Sequence, residues 1–103
     1  MAGVNKIFKQ VQKMQKKMEL AQSGLAQKEI EVSSGGGAVT VRISGQQEIK
    51  MIRFDADFLK EDKAIVEETL MMTIKEAVAK SKALSESELG SITSGFNIPG
   101  LGL

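Results

Sequence analysis

KEIEVSSGGGAVTVRIS, residues 28–44, holds the clearest period-two pattern in the chain. Lys28 to Ser33 alternates polar and apolar residues, the mark of a strand with one face to cover. Ser34-Gly35-Gly36-Gly37 breaks the alternation as a flexible turn. From Ala38 to Ser44, Val39, Val41 and Ile43 fall on one face and Thr40 and Arg42 on the other, because successive strand side chains point to opposite sides. Gly45-Gln46 turns the chain again, and Glu48 to Phe54 reads as a third strand. Its alternation is less clean, since Ile49 and Met51 compete with Ile52 and Phe54 for the inner face. Three strands joined by short glycine turns predict an antiparallel meander.

On either side the period changes to that of a helix. Upstream, a helix is expected from about Val4 to Gln22 or a little beyond, with Ser23-Gly24 as a fray point because glycine is a poor interior helix residue. Downstream of Asp55-Ala56-Asp57, Asp62 is placed as an N-cap, with Glu67 and Glu68 near the positive end of the helix dipole. Val66, Leu70, Ile74, Ala77, Ser81 and Leu84 form an inward stripe, and Lys75, Lys80 and Lys82 follow where cations suit a C-terminal end. From Gly90 onward the sequence is rich in Gly and Ser and reads as a loosely ordered tail. The expectation is an α+β fold of order α-β-β-β-α. One domain spans residues 1–89 and a flexible tail spans 90–103. At 103 residues the chain can bury a single modest core, built from Leu, Ile, Val and Met because only four aromatic residues, all Phe, are present.

The first helix has two incompatible faces. Val4, Val11, Met18 and Leu25 recur every seven residues, interleaved with Ile7, Met14 and Ala21, an a/d seam suited to packing along another helix. Lys6, Lys9, Lys13, Lys16 and Lys17 gather on the side away from that seam, opposed only by Glu19. The formal charge of +1 hides this asymmetry: residues 1–28 carry six Lys and one Glu, the remainder eight basic and twelve acidic groups. Such a division suits an arm that meets a polyanion while the body stays soluble. A merely solvated helix is the plainer reading, since Lys is a good helix former. A 19-residue helix is about 28 Å long, whereas a strand of six or seven residues spans about 20 Å. The helical overhang is therefore expected to pack against a second copy, giving a homodimer with paired projecting arms; a monomer with a frayed first helix is the alternative.

Catalytic chemistry has little to work with. The chain has no Cys and no His, so the usual general base, zinc ligands and thiol nucleophile are missing. No Ser stands in a Gly-x-Ser-x-Gly elbow. Gly35-Gly36-Gly37 lacks the Lys-Ser/Thr of a phosphate loop. Asp55, Asp57, Glu61 and Asp62 lack the mid-loop glycine and closing glutamate of an EF-hand, and helix capping accounts for them. The expectation is a protein that is not an enzyme and uses no cofactor, metal or small-molecule substrate. Without a signal-peptide core or membrane-length apolar run, a soluble, cytoplasmic protein is expected.

The lysine row has three possible uses. Spaced ammonium groups match a phosphate lattice and gain from counterion release. With no aromatic residue among the lysines, base stacking is disfavoured, and point charges read base edges weakly. Anionic lipid is a poorer fit, because the apolar side of the helix has few bulky residues besides Ile7 and Phe8 and the heptad seam suggests that this face is already occupied. An acidic protein partner is the third use.

Lys9-Gln10-Val11-Gln12-Lys13-Met14-Gln15-Lys16-Lys17-Met18 resembles the opening helix of the YbaB/EbfC family of bacterial nucleoid-associated proteins. The likeness continues through Gly35-Gly36-Gly37-Ala38-Val39-Thr40-Val41, Gly45, Ile52-Arg53-Phe54-Asp55, Leu59, Asp62 and Pro99-Gly100, covering nearly the whole chain in the family's order. The resemblance implies a tweezer-like homodimer that binds double-stranded DNA with limited or no sequence preference, organises the nucleoid and influences gene expression. It implies DNA contacts on the protruding helix, here Lys6, Lys9, Lys13, Lys16 and Lys17. Two departures stand out: Thr73 and Lys75 replace the small residue and Asn often found midway along the second helix, and Ser23-Gly24 interrupts a stretch that many relatives keep helical. The rival reading is a protein-interaction or chaperone-like dimer that captures an acidic or unfolded partner.

Overall fold

A computed structural model describes residues 2–95 of the chain. Strands β1 (Glu29–Ser34), β2 (Val39–Ser44) and β3 (Ile49–Phe54) form the expected antiparallel meander in the order β1-β2-β3. Between β1 and β2, Gly35, Gly36 and Gly37 all take positive φ, a run that side chains would strain, so the glycines are required by the turn. Register sets the faces. Val32 pairs with Val41 and Ile30 with Ile43, while Ile52 and Phe54 pair with Val41 and Val39.

The competition within β3 is settled by a bulge. Arg42 pairs with Met51 but Ile43 pairs with Ile49, which leaves Lys50 as the extra residue. The bulge brings Ile49 onto the same face as Ile52 and Phe54 and sends Met51 outward with Arg42. On that outer face Arg42 pairs with Glu29 and Glu31, its nitrogens 3.5 and 3.2 Å from their carboxylates.

Helix α2 (Lys63–Ser94) follows a single 3-10 turn at Phe58–Lys60 and lies across β1 and β2. Val32, Val39, Val41, Ile43 and Ala77 form the buried core, flanked by Ile30, Phe54, Phe58, Leu70, Ile74 and Val78. Burial of each of these Val and Ile side chains contributes about 1.5–3 kcal/mol. Thr73, Ala77 and Ser81 are buried at successive turns, and their small size lets the helix approach the sheet closely. The Thr73 hydroxyl donates to the Thr69 carbonyl at 2.7 Å and so is not stranded by burial.

Helix α1 (Ala2–Gln27) runs back along the outer half of α2. Lys28, just past the end of α1, pairs with Glu88, while Lys13 and Lys17 sit beside Ser91, Ile92 and Gly95. The two helices are therefore antiparallel and project together from the sheet. The molecule measures 71 × 23 × 16 Å.

Several expectations change. Ser23-Gly24 does not fray α1, because fully buried Leu25 anchors the turn beyond it. Gly90 does not begin the tail: α2 continues through residues 90–94, where the Ser91, Thr93 and Ser94 hydroxyls bond the carbonyls of Ser87, Leu89 and Gly90. Hydroxyls that bond four residues back can stay within a helix. The rest of the expected tail, residues 96–103, lies outside the described residues.

Asp62 occupies the N-cap position of α2 but makes no side-chain capping bond, and no acidic residue falls in the first turn. Lys75, Lys80 and Lys82 are interior because the helix runs on to Ser94. The α1 seam is also engaged differently. Val11, Met14, Met18 and Ala21 are half-buried and Leu25 is buried where α1 packs on the same chain's α2, so part of the seam is covered within one chain.

Candidate nucleic-acid interface

Lys6, Lys9, Lys13, Lys16 and Lys17 are all exposed on α1. They occupy twelve consecutive residues, about 17 Å along the axis at 1.5 Å per residue. The side chains of residues 3–9 are exposed throughout, so Lys6 and Lys9 stand on the part of α1 with the fewest neighbours. Lys13 and Lys17 line an open cleft of about 410 Å³ with Ser91, Ile92 and Gly95, next to the end of α2. Cations there meet the negative end of the α2 dipole, and the N-terminus of α1 adds partial positive charge at the tip.

Charge pairing separates this row from the other cations. Lys28, Arg42, Lys50, Lys60, Lys63 and Lys80 each lie within ion-pair distance of a carboxylate. Among the described residues, Lys6, Lys9, Lys13 and Lys16 have no carboxylate partner. Lys17 makes a further contact and is not counted with those four. Arg53, Lys75 and Lys82 are also without a carboxylate among the described residues, but they are scattered over β3 and α2. Among the described residues, only α1 places four such amines on one side of one element.

The other feature singled out from sequence has a local explanation. Asp55, Asp57 and Glu61 line a shallow depression with Gly35, Gly36 and Gly37. Asp55 Oδ2 accepts the Asp57 N–H at 3.2 Å, and Asp57 pairs with Lys60 at 3.2 Å. Asp55 and Asp57 thus tie the chain around the 3-10 turn, but the helix capping expected of this cluster is not made, since neither Asp57 nor Asp62 forms a side-chain capping bond. Among the described residues, no helix is long and apolar enough to cross a membrane.

Sequence reading missed the way α1 is held. Leu25 and Lys28 offer carbonyls to the Gly45 N–H at 2.9 and 3.1 Å, and Gln46 Nε2 donates to the Gln22 carbonyl at 2.7 Å. Gly45 was legible only as a turn. A Cβ there would sit 2.7 Å from the Leu25 oxygen, so the glycine permits a close approach between the turn and the helix end.

Comparison with known proteins agrees with this architecture. A Helicobacter pylori protein of known crystal structure, itself described as uncharacterized, superposes with a TM-score of 0.68 over 84% of this chain and 89% of that one, at 22% identity, which is a likeness of fold. Nucleoid-associated proteins of Alkaliphilus metalliredigens and Alkaliphilus oremlandii are 41% and 42% identical, spanning 96% and 98% of this chain and 88% and 91% of their own lengths. One from Ruminiclostridium cellulolyticum is 39% identical over 101 residues. With residues 1–96 matching the family's model, the chain belongs to the YbaB/EbfC DNA-binding family.

Proposed function

We propose that this protein is a homodimeric, nucleoid-associated protein that binds double-stranded DNA with little sequence preference through the lysine row of α1. Four amines on one exposed helix side, without carboxylate partners among the described residues, carry the reading. They keep their charge available for phosphates, and counterion release from DNA then supplies the affinity. Lysine heads without neighbouring aromatics position a duplex and read its bases weakly, which accounts for low sequence preference. Broad binding of this kind organises the nucleoid in the cytoplasm and influences expression of the genes it covers.

Dimerisation is supported by the sheet. Helix α2 covers β1 and β2 but leaves Ile49 and Ile52 of β3 each 41% exposed on the inner face. Ile65, Met71 and Met72 of α2 are exposed as well. A second copy that covers the exposed inner face of β3 would place two lysine rows on one assembly.

The test is a duplex titration at several salt concentrations, with random and defined sequences side by side. Neutralising about six to ten phosphates gives a log–log slope of about −5 to −9, equal for both duplexes. A slope near zero contradicts the lysine-row mechanism.

A protein-capture reading draws on Val4 and Phe8, which are 64% and 62% exposed near the start of α1. Competition separates the two. Duplex DNA displaces an acidic or unfolded polypeptide from the same arm if the lysines serve both, and leaves it bound if the apolar residues hold it.

A further inference from the structure

The four-residue turn Gly45-Gln46-Gln47-Glu48 touches both projecting helices. On one side Gly45 and Gln46 bond the Gln22 and Leu25 carbonyls in the last turns of α1 and the Lys28 carbonyl just past its end. On the other side the turn is locked to α2 through buried Ser81. The Ser81 hydroxyl donates to the Ser44 carbonyl at 2.6 Å and accepts from the Gln47 backbone N–H at 3.1 Å and from Gln47 Nε2 at 2.9 Å. Gln47 holds a φ of 63°, a left-handed conformation that non-glycine residues rarely adopt. The Ser44 hydroxyl ties the interior of the turn by accepting the N–H groups of Gln46 and Glu48 at 3.1 and 3.2 Å.

We propose that this turn sets the direction of α1 relative to α2, with Gln46 and Gln47 as positioning residues of the DNA-binding surface; the proposal rests on the lysine-row reading above. Besides the partly exposed Lys28–Glu88 pair, the helices meet along a half-buried seam of Val11, Met14, Met18 and Ala21. Methionine is flexible and small Ala leaves room, so such a seam gives attraction without fixing an angle. Directional hydrogen bonds at the root supply the missing constraint.

The lever is long. Lys6 lies about 28 Å from Leu25 at 1.5 Å per residue. A swing of about 10° therefore moves it about 5 Å, more than the 3.4 Å axial spacing of phosphates along one strand. Lysines on a loosely rooted arm would meet their phosphates only part of the time.

The experiment uses the full chain, which has no native cysteine. Spin labels on Asn5→Cys and Ser87→Cys report the separation of the arms, with labelled chains diluted into unlabelled protein so that one chain per assembly is observed. Gln46→Ala with Gln47→Gly removes both side-chain anchors, and glycine keeps the left-handed turn accessible. Helical content and melting behaviour stay close to the parent. The distance distribution broadens, and duplex affinity falls about 3- to 10-fold, as expected if the competent arm direction is occupied a third to a tenth of the time.

An unchanged distribution overturns the positioning role. A broadened distribution with unchanged affinity shows that arm direction does not govern binding, and overturns the functional half. A parent protein that binds no duplex defeats the lysine-row reading itself, while the distance measurement still reports whether the turn holds the helices.

Discussion

The sheet-bound body and the projecting arm of α1 satisfy their side chains in opposite ways. In the body, β-branched residues pack to full burial: Val39, Val41 and Ile43 are 0% exposed. Body cations such as Arg42, Lys50, Lys60, Lys63 and Lys80 have carboxylates beside them. On the arm, packing is half-buried and depends on methionine and alanine, and four lysines have no carboxylate partner among the described residues. Most body cations are thus paired within the body, whereas Arg53, Lys75 and Lys82 are the exceptions among the described residues. A count of lysines does not separate the two regions; the positions of the carboxylates do.

Five variants sharpen or break this contrast. The largest effect on stability belongs to the body: Ile43→Ala costs about 2–5 kcal/mol in urea unfolding, whereas the half-buried Met14→Ala costs less. Equal costs would mean that the arm is packed as firmly as the core. Gly45→Ala comes next, since its methyl group would press on the Leu25 carbonyl and side chain. A loss of about 1–3 kcal/mol is expected there, and no loss would show that α1 can move away freely. Replacing Lys9, Lys13 and Lys16 with Gln leaves unfolding within about 0.5 kcal/mol of the parent while weakening binding to every duplex alike. Unchanged binding would assign DNA to another surface. The smallest effect is that of Glu88→Gln. It breaks the Lys28 pair, but both partners are partly exposed, so about 0–1 kcal/mol is lost. A larger loss would make that pair a principal support of the arms.

Much of this architecture could be read from residue order alone. The alternation of Ile30, Val32, Val39, Val41 and Ile43 places the sheet and its inner face, and a stripe from Val66 to Leu84 places α2 on it. What sequence could not provide depended on contacts between distant residues. The β3 bulge at Lys50 was hidden because its two competing alternations are equal on paper and only pairing with β2 selects between them. Thr73 was read as a departure from a pattern, yet it lies buried on the sheet-facing side of α2 with its hydroxyl satisfied within the helix. Gly90 and the serines after it suggested irregular chain, since composition does not show hydroxyls that bond back along α2. Exposure of the lysines was legible from the helical wheel. That four of them lack carboxylates among the described residues while most body cations have them required the fold.

The most direct test compares two fourfold variants in the same salt series with duplex DNA. One replaces Lys6, Lys9, Lys13 and Lys16 with Gln; the other replaces Lys50, Lys60, Lys63 and Lys80, each of which has a carboxylate nearby. Each lost phosphate contact flattens the log–log slope by about 1, so the arm variant loses about 4 for every arm on the DNA and the body variant keeps the parent slope. Equal slopes for the two variants, or a flatter one only in the body variant, would contradict the account.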